Sequence, residues 1–269
     1  MPPTWIAHLS DCHIGPPGWL WKDRVDTAMA LRRALQRLSA LQPSPHALVL
    51  TGDLVESGGD EEYEHLAGLL ACWDGPVYLM PGNHDDREAL RRAFPSHAHL
   101  GKSGFIHYSA RVGDVRLIVL DTLEAGRPWG RLCPLRLAWL EFQLERFRDD
   151  RVVLALHHPP CATGLGAMDL MGLTQGAEEL LTMLEHNPQV ERVLCGHLHR
   201  SIVTVMGPAV VCVAPGTAHQ IHLSPAVDAP LAWTLEPGGF LLHRAAPDAP
   251  ITTHQVFSGP FEGPFPYGD

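Results

Sequence analysis

The chain has no apolar run of the roughly 18 to 20 residues that a bilayer span requires. It has no CxxC pair among its six cysteines, and basic residues are scarce, with 20 Lys and Arg against 30 Asp and Glu. The first absence excludes a membrane-crossing helix. The second excludes a dense disulfide framework and leaves Cys12, Cys72, Cys133, Cys161, Cys195 and Cys212 as reduced, mostly buried thiols. The third gives a formal charge of −10, which argues against a face for nonspecific binding of duplex nucleic acid. The opening Met1-Pro2-Pro3-Thr4-Trp5 lacks the basic and apolar regions of a signal peptide, so a cytoplasmic protein with no membrane partner is expected. No repeat recurs at a fixed period.

What is present is a globular composition, 45% hydrophobic and 19% charged over 269 residues, enough for a sizeable core. Short Val-, Ile- and Leu-rich runs at 4–9, 46–50, 77–80, 115–120, 152–156, 190–195 and 210–214 read as buried strands. Apolar residues at helical spacing over 25–41, 61–72, 86–94, 134–147 and 176–186 separate them. This β-α-β-α order predicts an α/β fold with a largely parallel sheet covered by helices. From about Ser201 the strands crowd together. Residues 231–236 and 240–244, joined through Pro237-Gly238-Gly239, read as a hairpin in a second, partly antiparallel sheet. The division expected is a catalytic domain over 1–246, followed by a Pro- and Gly-rich tail or oligomerisation arm over 247–269.

Histidine is abundant, at 17 residues, and the count matters because of where they fall. Asp11-Cys12-His13 follows the first predicted strand, Gly52-Asp53 the second and Gly82-Asn83-His84-Asp85 the third. His157-His158-Pro159-Pro160 and Gly196-His197-Leu198-His199 follow two later ones. Ligands of such sheets collect beyond the carboxyl ends of the strands, so these segments are expected to converge. In extended backbone, side chains two apart share a side, which would put Asp11 with His13 and His197 with His199. The glycines before the polar positions permit sharp turns or close approach. Asp11, His13, Asp53, Asn83, His157, His197 and His199 form a mixed oxygen and imidazole set suited to Mn, Fe, Co or Zn rather than Ca. That is too many ligands for one four-coordinate zinc, so two ions bridged by Asp53 is the economical arrangement. His158 is read as pointing away from the ions in a supporting role, and Asp121-Thr122 as structural.

In order, DxH, GDxxE, GNHD, HHPP and GHLH resemble the calcineurin-like metallophosphoesterase superfamily, most of all its bacterial class III cyclic-nucleotide phosphodiesterases and glycerophosphodiesterases, from about residue 4 to 244. The resemblance implies a four-layer αββα sandwich, two mixed β-sheets flanked by helices, with a dinuclear centre of divalent or mixed-valence transition-metal ions at the strand ends. Carried over by position, Asp11, His13, Asp53 and His199 would hold one ion, and Asp53, Asn83, His157 and His197 the other. His84 would sit beside the substrate as the catalytic residue, with Asn83 and His219 as further substrate-binding positions. Glu56 stands where the superfamily often has Asp, which leaves Glu56 and Asp85 as alternative orienting partners for His84.

The implied activity is hydrolysis of a small-molecule phosphodiester, a cyclic nucleotide such as cAMP or a glycerophosphodiester, by metal-activated hydroxide. His84 would stabilise phosphoryl oxygens or protonate the leaving oxygen. The alternatives are a metallo-phosphomonoesterase or nucleotide pyrophosphatase and, from another class, a noncatalytic scaffold of the same fold. Trp19 and Trp21, in the loop after the first ligand pair, are candidates for nucleobase stacking or for plain packing. A homo-oligomer is compatible with the C-terminal arm.

Overall fold

Apolar runs too short for a helix and ended by Gly or polar residues extend into strands, and the amphipathic stretches between them coil. The computed structural model describes residues 2–224, 226 and 229–266. The chain begins with β1 (Thr4–Leu9), α1 (Thr27–Ser39), β2 (Ala47–Leu50), α2 (Asp60–Leu70), β3 (Val77–Leu79), α3 (Arg87–Ala93), β4 (Tyr108–Val112) and β5 (Val115–Val119). It continues with β6 (Gly130–Arg131), α4 (Pro134–Arg146), β7 (Arg151–Ala155), α5 (Gly166–Asp169), β8 (Leu173–Gln175), α6 (Ala177–His186) and β9 (Val190–Cys195). Strands β10 (Ile202–Met206), β11 (Ala209–Val213), β12 (Gln220–Ile221), β13 (Trp233–Thr234), β14 (Gly239–Ala245) and β15 (Thr252–Phe257) follow.

Two large sheets result, ordered β15-β14-β1-β2-β3 and β10-β11-β9-β7-β5-β4. Each is parallel in its interior, β1 to β3 in one and β5, β7, β9 and β11 in the other. Antiparallel strands close both margins of the second sheet and one margin of the first, whose other edge is the parallel strand β3. Period-two alternation divides the second sheet cleanly. Leu117, Val119, Val153, Ala155, Leu194 and Cys212 pack inward with β1, β2, α1 and α2. Their neighbours Ile118, Val152, Leu154, Val193, Val211 and Val213 pack outward with α4 and α6. The order of layers is therefore helix, sheet, sheet, helix, as the motif resemblance implied.

Three details differ from the reading of the sequence. The segment around Pro237-Gly238-Gly239 is not a hairpin turn. Trp233 and Thr234 pair with β12, whereas β14 pairs with β1 and β15. Gly238 is needed for closeness, since a Cβ there would run into the Thr217 carbonyl. Secondly, Thr252–Phe257, inside the stretch read as tail or arm, is the edge strand β15 of the first sheet. Thirdly, Cys12, Cys195 and Cys212 are buried as expected, but Cys72 is exposed and Cys133 and Cys161 are half-buried.

Asp121 has the structural role expected of it. Fully buried after β5, its carboxylate takes Arg87 Nε at 2.6 Å and Nη2 at 2.8 Å, together with the main-chain N–H groups of Ile106 and Leu123. Asp121→Ala strands the Arg87 charge and is expected to cost about 3 to 5 kcal/mol of stability. Urea unfolding checks this, and a loss under about 1 kcal/mol, the level of an exposed pair, would contradict it.

Candidate metal centre

The site lies where the carboxyl ends of β1, β2 and β3 from one sheet meet those of β7 and β9 from the other. Main-chain bonds lace the loops together. Asp11 N–H donates to the Gly52 carbonyl at 3.1 Å, His13 N–H to the Asp53 carbonyl at 3.0 Å, and Gly196 N–H to the His157 carbonyl at 3.0 Å. The Asp11 carboxylate accepts the His197 N–H at 3.0 Å, joining the first loop to the last.

The backbone is not extended there, contrary to the alternation argument. Asp11, His13, Asp53, His197 and His199 all lie in the left-handed region, with φ of 53°, 45°, 47°, 71° and 46°. Such conformations are uncommon outside glycine and accumulate at functional sites. Left-handed residues alternating with ordinary ones, rather than a strand pleat, place the side chains on a common side. Gly82 and Gly196 serve close approach. A Cβ on the first would collide with the Asp53 carboxylate and main-chain nitrogen, and one on the second with Ser10 Oγ.

All the expected ligand side chains come together. Donor atoms of Asp11, His13, Asp53 and His199 lie within 4.8 Å of one another. Asp53 Oδ2 is 3.7 Å from His13 Nε2 and 3.3 Å from His157 Nε2. Asn83 Oδ1 lies 3.2 Å from His157 Nε2 and 3.0 Å from His197 Nδ1. One oxygen of Asp53 is thus common to two groups of donors. His158 is not turned away as the sequence reading had it. Its ring is 4.7 Å from those of His157 and His197, with Nδ1 bonded to Thr122 Oγ1 at 2.8 Å.

The donors fit a metal. His13 Nδ1 faces Glu56 Oε2 at 2.7 Å and His199 Nδ1 faces the His219 carbonyl at 3.3 Å, while their Nε2 atoms face each other at 3.1 Å. Two neutral rings donating outward would oppose lone pair to lone pair, so the gap calls for a shared cation, proton or metal. Charge points the same way. Burial pushes the Asp53 carboxyl up, but His157, His84 and His13 outweigh it and hold it well below the usual range. Burial pushes His157 down, yet Asp53 raises it to about 9. In His13, likewise, the Glu56 hydrogen bond and the nearby carboxylates overcome burial and raise it. His197, without so close a carboxylate, is lowered to about 3 by burial and by His157. The cluster draws protons onto imidazoles where a dication would replace them.

His84 stands at the open side. Its N–H donates to Asp53 Oδ1 at 2.9 Å and its Nδ1 to the main-chain carbonyl of Glu56 at 2.6 Å. Neither carboxylate weighed from the sequence therefore orients this ring. The Glu56 side chain serves His13 instead. Asp85 accepts from Leu54 N–H, Gly82 N–H and Tyr63 Oη, pinning the loop after β3 against that after β2. His219 is buried beside the cluster, 4.5 Å from His199 ring to ring, and burial followed by the His199 charge lowers it to about 2. Trp21 stacks on His219 at 3.9 Å and meets the edge of Trp233 at 4.9 Å. Sequence reasoning missed this aromatic wall, because Trp233 lies far along the chain in a segment read as a hairpin.

Residues 4–201 match the family model described as Calcineurin-like phosphoesterase, and the chain belongs to that family. It is 34% identical over 262 residues to the probable glycerophosphodiester phosphodiesterase GpdQ of Arcobacter nitrofigilis, covering 97% of this chain and 96% of that one. It is 32% identical over 243 residues to a probable cyclic nucleotide phosphodiesterase of Rhodopseudomonas palustris, covering 89% and 87% of the two. Among solved structures it resembles a dimetal phosphatase from Danio rerio, with a TM-score of 0.71 at 15% identity over 96% of this chain and 98% of the other, a likeness of fold.

Proposed function

We propose that the protein is a dinuclear metal-dependent phosphodiesterase, a phosphoric diester hydrolase of the cytoplasm acting on a small-molecule diester. Asp11, His13, Asp53 and His199 hold one ion, and Asp53, Asn83, His157 and His197 the other. The observation that carries this is Asp53 Oδ2, set between His13 Nε2 at 3.7 Å and His157 Nε2 at 3.3 Å. The donor set accepts Mn, Fe, Co or Zn. When bound, the ions supply Lewis acidity and lower the pKa of water towards neutrality.

The chain's own groups do the rest. The Thr51 carbonyl takes the His157 Nδ1–H at 2.6 Å, Glu56 takes that of His13 and the His219 carbonyl that of His199, so each ring presents Nε2 to the centre. Asp11, Asp53 and the four ligand imidazoles are nearly inaccessible to solvent, which strengthens their field on a bound phosphate. His84, held at Nδ1 by the Glu56 carbonyl, is turned so that a proton on Nε2 goes to a phosphoryl oxygen or to the departing alkoxide. Asn83 and His219 flank the same space. A glycerophosphodiester is favoured over a cyclic nucleotide. Trp21, the nearest indole, has a face on His219 and the Lys22 ammonium 5.5 Å from its ring, which commits it to contacts within the protein rather than to a base. The full-length likeness to GpdQ supports the same choice.

Chelation is expected to abolish hydrolysis of bis-p-nitrophenyl phosphate and Mn(II) to restore it, with p-nitrophenyl phosphate turned over more slowly. On the reconstituted protein, glycerophosphodiesters should exceed cyclic AMP and cyclic GMP in kcat/KM. Faster hydrolysis of the monoester would overturn the diester reading in favour of a phosphomonoesterase. Full activity in chelator would overturn the metal centre.

A further inference from the structure

Helix α4 opens with Cys133 at its N-cap and Pro134 at its first position. Its first intrahelical bond runs from the Leu137 N–H to the Cys133 carbonyl at 3.1 Å, so the N–H groups of Leu135 and Arg136 are the ones a capping side chain serves. The residues usual at an N-cap, Ser, Thr, Asp and Asn, offer them an oxygen. A neutral thiol is a weak acceptor, and among the described residues no side-chain bond caps this helix. Arg136 adds a third donor. Helical side chains lean towards the N-terminus, which brings a residue three positions on back over the N-cap. Arg136 is 2% exposed, with its guanidinium 4.2 Å from the Phe105 ring. Nη1 donates to the carbonyls of Asp121 and Leu123, each at 3.1 Å, and Nη2 faces Glu124 Oε2 at 3.5 Å. Nε is buried with no partner, and a buried charged donor without an acceptor is costly. An anion on the Cys133 side chain satisfies all three donors.

Burial pushes the Cys133 thiol up, but the Arg136 side chain and the N–H groups of Arg136 and Leu135 outweigh it and lower it. The nearby carboxylates are engaged elsewhere, Glu124 with Arg136 and Arg131, and Asp121 with Arg87. The other cysteines lack this setting. Cys161, also half-buried, is raised by burial and by Asp169, and Cys12, Cys195 and Cys212 are enclosed. Cys72 is exposed, and its thiol donates to the Leu69 carbonyl at 3.3 Å.

We propose that Cys133 is a modification site, a thiol that reacts with hydroperoxides and other electrophiles in preference to the five other cysteines. With hydrogen peroxide, the thiolate sulfur attacks one oxygen, and an S–O bond forms as the O–O bond breaks. Sulfur gives up two electrons, and the departing hydroxide takes the proton released by the thiol and leaves as water. The product is a sulfenic acid, whose oxygen the three donors then hold. This inference does not depend on the reaction proposed above.

Timed alkylation of the intact protein with iodoacetamide, read at each cysteine by mass spectrometry of the digest, tests it without any variant. At a pH of about 6.5, Cys133 should be modified faster than the more exposed Cys72 and about tenfold or more faster than Cys161. Its rate should level off below the pH of about 8.5 at which a free thiol ionises. Treatment with hydrogen peroxide followed by dimedone should place the sulfenate adduct on Cys133, and Cys133→Ser should abolish that adduct with circular dichroism unchanged. Arg136→Lys, which keeps the charge and removes Nε, should slow alkylation at Cys133 and leave Cys72 as it was. Alkylation of Cys72 or Cys161 as fast as Cys133 overturns the proposal. So does a dimedone adduct found on another cysteine in place of Cys133, or a Cys133 rate that Arg136→Lys leaves unaltered.

Discussion

Asp53→Asn is expected to lower turnover on a phosphodiester by about a thousandfold or more, roughly 4 kcal/mol in the transition state, and to reduce bound metal from two equivalents to one or fewer. The substitution keeps the size and shape of the side chain and removes only its charge and one acceptor. The residue is buried, and its Oδ1 accepts the His84 N–H at 2.9 Å. An asparagine that preserves this bond must turn its amide NH2 to the Oδ2 position, 3.3 Å from His157 Nε2 and 3.7 Å from His13 Nε2. There it donates instead of accepting, and nothing remains to be shared between two cations. Elemental analysis after dialysis against Mn(II), together with kcat on bis-p-nitrophenyl phosphate, separates the outcomes. Two retained equivalents with turnover within tenfold of wild type would show that Asp53 is not the bridge.

The polar side chains of this centre were legible in the sequence because each follows a strand-ending signal, and strand ends on the same edge of parallel sheets converge. The backbone that aims them was not legible. Alternation would have served if Asp11 and His13 continued β1, but the strand stops at Leu9, and both residues take left-handed φ values that Asp and His adopt more readily than most residues yet still uncommonly, too weak a local signal to read from sequence. Tertiary bonds impose them, notably His13 N–H to the Asp53 carbonyl and His197 N–H to the Asp11 carboxylate, which join residues distant in sequence.

The fold shows the same division. Leu117 to Val119 and Val152 to Ala155 signal strands by composition alone, and their alternation between two cores is a matter of period. The hairpin read at Pro237-Gly238-Gly239 failed because a glycine needed for close approach to Thr217 looks, in sequence, like one needed for a turn. Strand β15 was hidden by the prolines around it. Its partner β14 supplies the ladder that Thr252–Phe257 could not advertise with only Val256 and Phe257 as large apolar residues.

His84→Ala is expected to reduce kcat by about 10² to 10⁴ while leaving both metal equivalents and the thermal midpoint in place. The geometry separates this residue from the ligands on either side of it in function. Its contribution to the centre's scaffold is its main-chain N–H to Asp53 Oδ1, and alanine keeps that group. Its ring makes one hydrogen bond to protein, from Nδ1 to the Glu56 carbonyl at 2.6 Å, which fixes the plane and leaves Nε2 to face a substrate. Because the ring is half-buried, its loss opens the site to water rather than creating a core cavity. A proton donor matters most where the departing alkoxide is basic. The deficit should therefore be large on a glycerophosphodiester and much smaller on bis-p-nitrophenyl phosphate, whose leaving group needs no proton. An equal deficit on both substrates would assign the ring to charge stabilisation at the phosphoryl oxygens, and loss of metal in step with activity would remove it from the reaction altogether.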